Sequence, residues 1–414
     1  MSLLKNVLIY GLSLAMWRGI PFLLIPVYTR LMTIEDFGKF GLFLSFIAFT
    51  NIYIGMRPEV YFFKEVASDN KKHPTILANC YGLLFVTTVP VFIVLLFFNH
   101  IVDVFRISPL VSSSLITFFS FFAGWKLIVE SSLQEERKPY LFLILQMICA
   151  SLILFFSIGL IMIDSSWHYR AFGEILGIAI ALLIFSFFYS RARLKPAYYD
   201  LWDIFSYLWP LTFHVVSLAL VNVADRFVIA LFSDTNALGR YSAAYMLGVS
   251  VNLIFEAILK AWNPYFYTLI AKNEIVRVVK TTFYVLGLVS VLCLGFIFLL
   301  VYASSVILPE SYGDLRSIIM LVSLSYLFEG SRKFFAGYLH ARSKSKLLGI
   351  IGIGTAVLNL SLNFILIPVY GIFGAAVATL ISFLSMALIT MIFSLIAINE
   401  LKIERYCGPH CQDH

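Results

Sequence analysis

Long apolar runs separated by short polar connections repeat along the whole chain. They occupy roughly 8–32, 40–63, 76–98, 111–133, 140–163, 171–189, 204–232, 240–264, 278–303, 315–338, 347–367 and 373–398, twelve in all. Each is close to the ~20 residues that an α-helix needs to cross a bilayer. Helix rather than barrel strand follows from length. The runs are about twice what a spanning strand needs, and lipid offers no partner to an unpaired backbone group. The first run is too long for a removable signal peptide and lacks a small-residue cleavage site, so it is expected to remain as the first span.

Composition narrows the class. Of 414 residues, 61% are hydrophobic and 13% charged, with a mean hydropathy of +0.92. Soluble chains carry about 25% charge, so a soluble domain is excluded, and an all-α polytopic membrane protein with 12 transmembrane helices is expected. The net charge of +7 reports topology and calls for no nucleic-acid partner. With the N-terminus inside, only Lys39, Arg106, Arg170, Arg240 and Arg316 fall outside. Eight more (Arg18, Arg30, Arg57, Lys126, Arg226, Lys260, Arg332 and Lys333) fall within spans, and the rest of the 30 basic residues lie on the inner side. Both termini are therefore expected in the cytoplasm. Cys80, Cys149 and Cys293 sit in apolar runs and read as small hydrophobes. Cys407 and Cys411 share the tail with His410 and His414, but an eight-residue tail supplies no second shell, so neither a metal nor another cofactor is expected. The sequence lacks a P-loop and has no paired carboxylates outside the spans, which points to a gradient-driven transporter and not an enzyme.

Internal similarity divides the chain near residue 200. Val27-Tyr28-Thr29-Arg30-Leu31 corresponds to Val223-Ala224-Asp225-Arg226-Phe227, an offset that also places Arg18 over His214. Phe37-Gly38-Lys39-Phe40 matches Leu238-Gly239-Arg240-Tyr241. Lys126, Ser132-Leu133 and Lys138 correspond to Arg332, Tyr338-Leu339 and Lys344, and Phe172-Gly173 to Phe373-Gly374. Two pseudo-symmetric six-helix bundles are expected, residues 1–198 and 199–400, followed by a cytoplasmic tail at 401–414. Six spans is an even number, so the repeats share one orientation, with a transport site between them.

Ionisable groups inside spans are costly unless they face a partner or a cavity. Lys126 and Glu130, and Glu256 and Lys260, are four residues apart; Glu329 reaches Arg332 and Lys333 at three and four. Those spacings put partners on one helix face, so local neutralisation and a functional role both stand. These pairs, with Arg57 and Glu59, lie in the inner third of their spans. Arg57 and Glu59 are two apart and cannot meet on a regular helix, although Pro58 between them can distort it. Arg18 lies midway along the first span with no acid within a turn, and a guanidinium there suits a phosphate group in an aqueous lumen. Arg18, Arg57, Lys126, Lys260, Arg332 and Lys333 are thus candidates for binding an anionic cargo. Glu59, Glu174, Asp225, Glu256 and His214 are candidates for ion coupling, with hydrogen-bonded structural roles as the alternative. Arg30 and Arg226, near the outer ends of their spans, are expected to snorkel. Pro21 and Pro26 are expected to kink the first span.

The segments Leu4-Lys5-Asn6, Ile25-Pro26-Val27-Tyr28-Thr29-Arg30, Glu35-Asp36-Phe37-Gly38, Asp225-Arg226 and Leu238-Gly239-Arg240-Tyr241 resemble the polysaccharide-transporter family, which includes the Wzx-type O-antigen flippases of the multidrug/oligosaccharidyl-lipid/polysaccharide superfamily. The resemblance covers essentially the whole chain. It implies a V-shaped, MATE-like pair of bundles in the bacterial inner membrane. The cargo it implies is an oligosaccharide repeat unit on undecaprenyl pyrophosphate, moved from the cytoplasmic to the periplasmic leaflet and coupled to proton or sodium entry. A glycan polymerase and a chain-length regulator of the same pathway are implied partners. A cation-coupled multidrug antiporter is the alternative, although it would want an acidic lumen. A lipid II flippase usually carries two more helices. A major-facilitator sugar transporter would show a Gly- and Arg-rich loop where Lys64 to His73 stands, and a glycan polymerase a large periplasmic loop.

Overall fold

The computed structural model describes residues 9, 11, 13, 16–17, 19–68, 73–102, 105, 107–189 and 201–407. Arg18 and the Cys411, His410 and His414 tail lie outside the described residues. His214 is described only as helical backbone, and the side chain of Cys407 is not described. The described elements are helical: α1 (Ile25–Leu31), α2 (Ile34–Tyr53), α3 (Pro58–Ser68), α4 (His73–Ile101), α5 (Pro109–Glu135), α6 (Pro139–Ile163), α7 (Trp167–Tyr189), α8 (Leu201–Phe232), α9 (Thr235–Gly248), α10 (Val251–Ala271), α11 (Ile275–Ile307), a 3-10 turn at Glu310–Tyr312, α12 (Arg316–Ala341) and α13 (Ser345–Cys407). Among the described residues eight helical stretches are long and apolar enough to cross a membrane. They differ from the expected twelve for identifiable reasons. The first run and α8 are only partly described, α12 carries Glu329, Arg332 and Lys333, and α13 is one stretch interrupted at Gly371 (φ 57°).

Some spans are broken where the sequence offers a breaker. The first span, by contrast, keeps its helical bonds at Leu24, which donates to Ile20 O at 3.0 Å and accepts from Tyr28 N at 2.9 Å although Pro26 follows. The second breaks between α2 and α3, where Gly55, Met56 and Arg57 take φ of 75°, 52° and 58° ahead of Pro58. The eighth breaks between α9 and α10 at Val249 and Ser250.

Backbone contact between helices falls on small residues. Gly173 and Gly177 form a G-x-x-x-G face on α7, and a Cβ there would lie 2.6 Å from Ser157 Cα and 2.5 Å from Ile153 Cα of α6. Such faces let membrane helices associate by dispersion where lipid supplies no hydrophobic drive. Gly177→Val is accordingly expected to destabilise the protein by about 1–3 kcal/mol through overpacking, read as a fall in the thermal midpoint in detergent. Gly159→Ala, which meets open space, should leave it unchanged. Gly38 at the start of α2 makes a similar approach: its Cβ would lie 2.6 Å from Thr235 O and Gly239 N of α9.

Three helix reversals use one turn. The amides of Lys138, Glu274 and Lys344 donate to the carbonyls of Leu133, Leu269 and Leu339 at 2.9, 3.0 and 2.8 Å. The residue before each amide, Arg137, Asn273 or Ser343, is left-handed at φ 55°, 59° or 55°. This is a Schellman closure, which satisfies carbonyls a helix end leaves orphaned. The turns after α5 and α12 fall at corresponding positions of the sequence repeat, Lys138 against Lys344.

The chain forms two compact units, Met1–Gly239 and Arg240–His414. The packing boundary lies beyond the sequence boundary at 198 because α8 packs on α2, α3 and α4. In the first unit, Leu133, Phe142, Leu145, Cys149, Ile178 and Leu182 build a core among α5, α6 and α7. Cys80, Cys149 and Cys293 are buried free thiols, as expected.

Candidate functional site

The central feature of the first unit is a buried ionic trio. Lys126 and Glu130 stand one turn apart on α5 and are buried, and their side chains form an ion pair. Gln146 of α6 binds both: Lys126 Nζ donates to its Oε1 at 2.9 Å, and its Nε2 donates to Glu130 Oε1 at 2.6 Å. The indole of Trp17 lies 3.8 Å from Lys126 Nζ, a cation–π contact that strengthens when desolvated. The expected pairing on one helix face is therefore present, and a neutral amide completes it.

Lys126 and Glu130 of this trio face a cavity of about 340 Å3, which Trp17, Asn51, Arg57 and Phe119 among others also line. Arg57 is its exposed cation, with a side chain 52% accessible against 8% for Lys126. Its position depends on the break between α2 and α3. Because Arg57 is left-handed and precedes the helix opened by Pro58, its Nε reaches Glu59 Oε1 at 2.8 Å, a pairing that a regular helix forbids at that spacing. Thr87 Oγ1 of α4 supports the break by accepting from Gly55 N at 2.8 Å. Glu59 is buried, and its Oε2 has no hydrogen-bond partner among the described residues.

In the second unit the cation matching Lys126, Arg332 of α12, also holds a carboxylate on its own helix. Its Nε and Nη2 donate to Glu329 Oε2 and Oε1 at 2.6 and 2.7 Å. Lys333 turns instead to α10, donating to Asn252 Oδ1 at 2.8 Å and lying 4.0 Å from Glu256. Asn252 Nδ2 donates to Glu256 Oε1 at 3.0 Å. Lys260, one turn further along, is exposed.

Two cations sit differently from their expected places. Arg226 does not snorkel. It is buried, with Nη1 donating to Asn222 O at 2.9 Å and to the buried Asp225 at 3.4 Å. Arg30 is exposed, and its Nη1 donates to Pro26 O at 2.8 Å. Arg170, expected from the sequence as an outer-loop charge, is 2% exposed on α7. Its guanidinium carbon stands 3.6 Å from both the Tyr28 and Phe40 rings, and its Nε donates to Glu174 Oε1 at 3.2 Å. Tyr28 is fixed in turn by a 2.7 Å hydrogen bond with Ser157. Trp167 N, at the start of the same helix, donates to Asp36 Oδ1 at 3.1 Å. The Tyr28 and Asp36-Phe37-Gly38 segments that the sequence singles out thus build the packing around a buried cation.

The Haemophilus influenzae protein named Lsg locus putative protein 1 is 23% identical over 293 residues, covering 67% of this chain and 69% of that protein. Among solved structures, the chain resembles the lipid II flippase MurJ in an inward closed conformation, with a TM-score of 0.72, 15% identity, and coverage of 96% of this chain and 91% of that one. It also resembles an outward-facing multidrug resistance MATE family transporter of the MOP superfamily, with a TM-score of 0.67, 13% identity and 96% of each chain covered. These are likenesses of fold. The sequence evidence goes further, because a family model described as polysaccharide biosynthesis protein matches residues 3–270. The chain belongs to that polysaccharide biosynthesis protein family, and its fold is that of the MOP-superfamily transporters.

Proposed function

We propose that this protein is a flippase that moves undecaprenyl-pyrophosphate-linked oligosaccharide repeat units, of O-antigen or a related surface glycan, across the bacterial inner membrane by alternating access. Both termini lie in the cytoplasm in this reading, as the distribution of basic residues requires. The observation that carries it is the cavity of the first unit, where an accessible guanidinium, Arg57, shares a wall with Lys126, Trp17 and Asn51. A guanidinium fork matches phosphate oxygens, while an indole and an amide suit sugar faces and hydroxyls. The family membership and the similarity to a lipid II flippase support the same cargo class. A cation-exporting antiporter would want acid without base in that wall, and here Arg57 and Lys126 stand against Glu130.

Arg57→Gln is expected to reduce surface glycan display at least tenfold, about 1.4 kcal/mol of lost anion recognition, at unchanged protein level. Arg57→Lys should retain part of it. Display is read by glycan immunoblot in a strain lacking the chromosomal copy. Wild-type display from Arg57→Gln would remove this assignment.

Coupling to an inward proton is assigned to Glu59, whose buried oxygen is free to carry it. Glu59→Gln, which keeps an acceptor for Arg57, should abolish the dependence of transport on a pH gradient in proteoliposomes.

A further inference from the structure

The cavity of the first unit holds a polar group that its ion pairs leave unspent. Arg57 is engaged by Glu59, and Lys126 and Glu130 are engaged by each other and by Gln146. Asn51 lies in the same wall, and its carbonyl oxygen has no hydrogen-bond partner among the described residues. The backbone that carries it is held in place. The preceding residue, Thr50, shares a 2.5 Å hydroxyl hydrogen bond with Ser120, which fastens α2 to α5 beside the cavity.

The internal repeat shows what an asparagine at this position does when the protein itself satisfies it. The matching segments Phe37-Gly38-Lys39-Phe40 and Leu238-Gly239-Arg240-Tyr241 begin at 37 and 238, and the same offset of 201 sets Asn51 against Asn252. Asn252 spends both ends of its carboxamide inside the second unit. Its Oδ1 accepts from Lys333 Nζ at 2.8 Å, and its Nδ2 donates to Glu256 Oε1 at 3.0 Å. The first unit lacks both partners. At the same offset Gly55 stands in place of Glu256, and the match of Lys126 with Arg332 puts Leu127 in place of Lys333. Leu127 itself lines the cavity.

An enclosed amide oxygen without a donor is costly, and in a cavity wall a guest can supply the donor. The guest group must be neutral and must carry an N–H or O–H. An ionised phosphate has neither to give and is matched instead by Arg57. Sugar hydroxyls qualify, and the rings of Trp17 and Phe119 in the same wall offer flat apolar surface to the C–H face of a sugar. A carboxamide turns end for end about a broad terminal torsion, so the unspent oxygen can be presented to such a guest. We infer that Asn51 is a specificity-determining residue that reads a hydroxyl of the sugar next to the pyrophosphate, while Arg57 reads the pyrophosphate. This rests on the flippase reading and adds that sugar discrimination is built into the first unit, with Asn252 a structural counterpart.

The test titrates the full-length protein in detergent calorimetrically with farnesyl pyrophosphate, bare or carrying a single glucosyl, galactosyl or N-acetylglucosaminyl unit. The wild-type protein is expected to bind at least one sugar-bearing probe more tightly than the bare one. Asn51→Leu should weaken that probe about tenfold, the loss of hydrogen bonding to the sugar, and leave the bare probe unchanged. Its thermal midpoint should stay at or above wild type, because an unsatisfied amide is removed. Asn51→Gln keeps the carboxamide and should recover part of the preference. Asn252→Leu strands Lys333 and Glu256 and should lower the midpoint. The inference is overturned if Asn51→Leu weakens both kinds of probe alike, if it lowers the midpoint as Asn252→Leu does, or if the wild-type protein binds every sugar-bearing probe no tighter than the bare one. If the wild-type protein binds none of the four probes, the flippase reading itself falls, and the two failures are thereby told apart.

Discussion

Lys126→Met is expected to destabilise the protein by about 3–5 kcal/mol, because it leaves Glu130 buried without its counter-charge. A second variant separates structure from function. Lys126→Met with Glu130→Gln removes both charges and leaves two amides, at positions 130 and 146, able to bond each other across α5 and α6. Thermal stability in detergent should return close to wild type, since neutralising a buried pair together is far less damaging than breaking it. If the trio only fastens α5 to α6, glycan display returns with stability. Under the function proposed above it does not. Lys126 lines the cavity, and a cavity stripped of that ammonium should display glycan at least tenfold less at equal protein level, a deficit of about 1.4 kcal/mol. Recovery of display in the double variant would show the trio to be structural alone.

Arg170 gives the second large effect, without any loss of cavity charge. Its guanidinium lies between Tyr28 and Phe40 and against Glu174. Arg170→Leu should cost about 3–5 kcal/mol, through the stranded carboxylate of Glu174 and the vacated space between the rings. Arg170→Lys keeps the charge but loses the planar fork that stacks between two rings, for an intermediate cost of about 2 kcal/mol. Both are read as shifts in thermal midpoint. An Arg170→Leu protein as stable as wild type would show that the sandwich contributes nothing net.

These same residues show how far the sequence carries. The apolar runs, their helical nature and the duplicated Lys126 and Arg332 positions are legible because membrane spans announce themselves by length and charges within them are rare. The pairing of Arg57 with Glu59 is not, since it depends on three successive left-handed residues that no periodicity reveals. The burial of Arg170 is hidden for a related reason. It lies at the first turn of α7, where span and connection look alike in sequence, and its burial comes from Tyr28 and Phe40, remote in the chain. Gln146 is easily passed over because a neutral amide adds nothing to a charge pattern. Its signal is present nonetheless, as an amide alone in the apolar stretch Leu141–Ala150.

The three Schellman reversals bear on which joints of this molecule can bend. In each, a left-handed residue and a backbone hydrogen bond to a buried leucine carbonyl tie the end of one helix to the start of the next. Such an elbow has no slack, and opening it would expose carbonyls that nothing else satisfies. Helices α5 and α6, α10 and α11, and α12 and α13 are therefore coupled at their ends as stiff levers. Compliance is left to the interruptions inside spans, at Gly55 to Arg57 and at Val249 to Ser250, where the helical ladder is already broken and a change of φ and ψ costs the fewest hydrogen bonds.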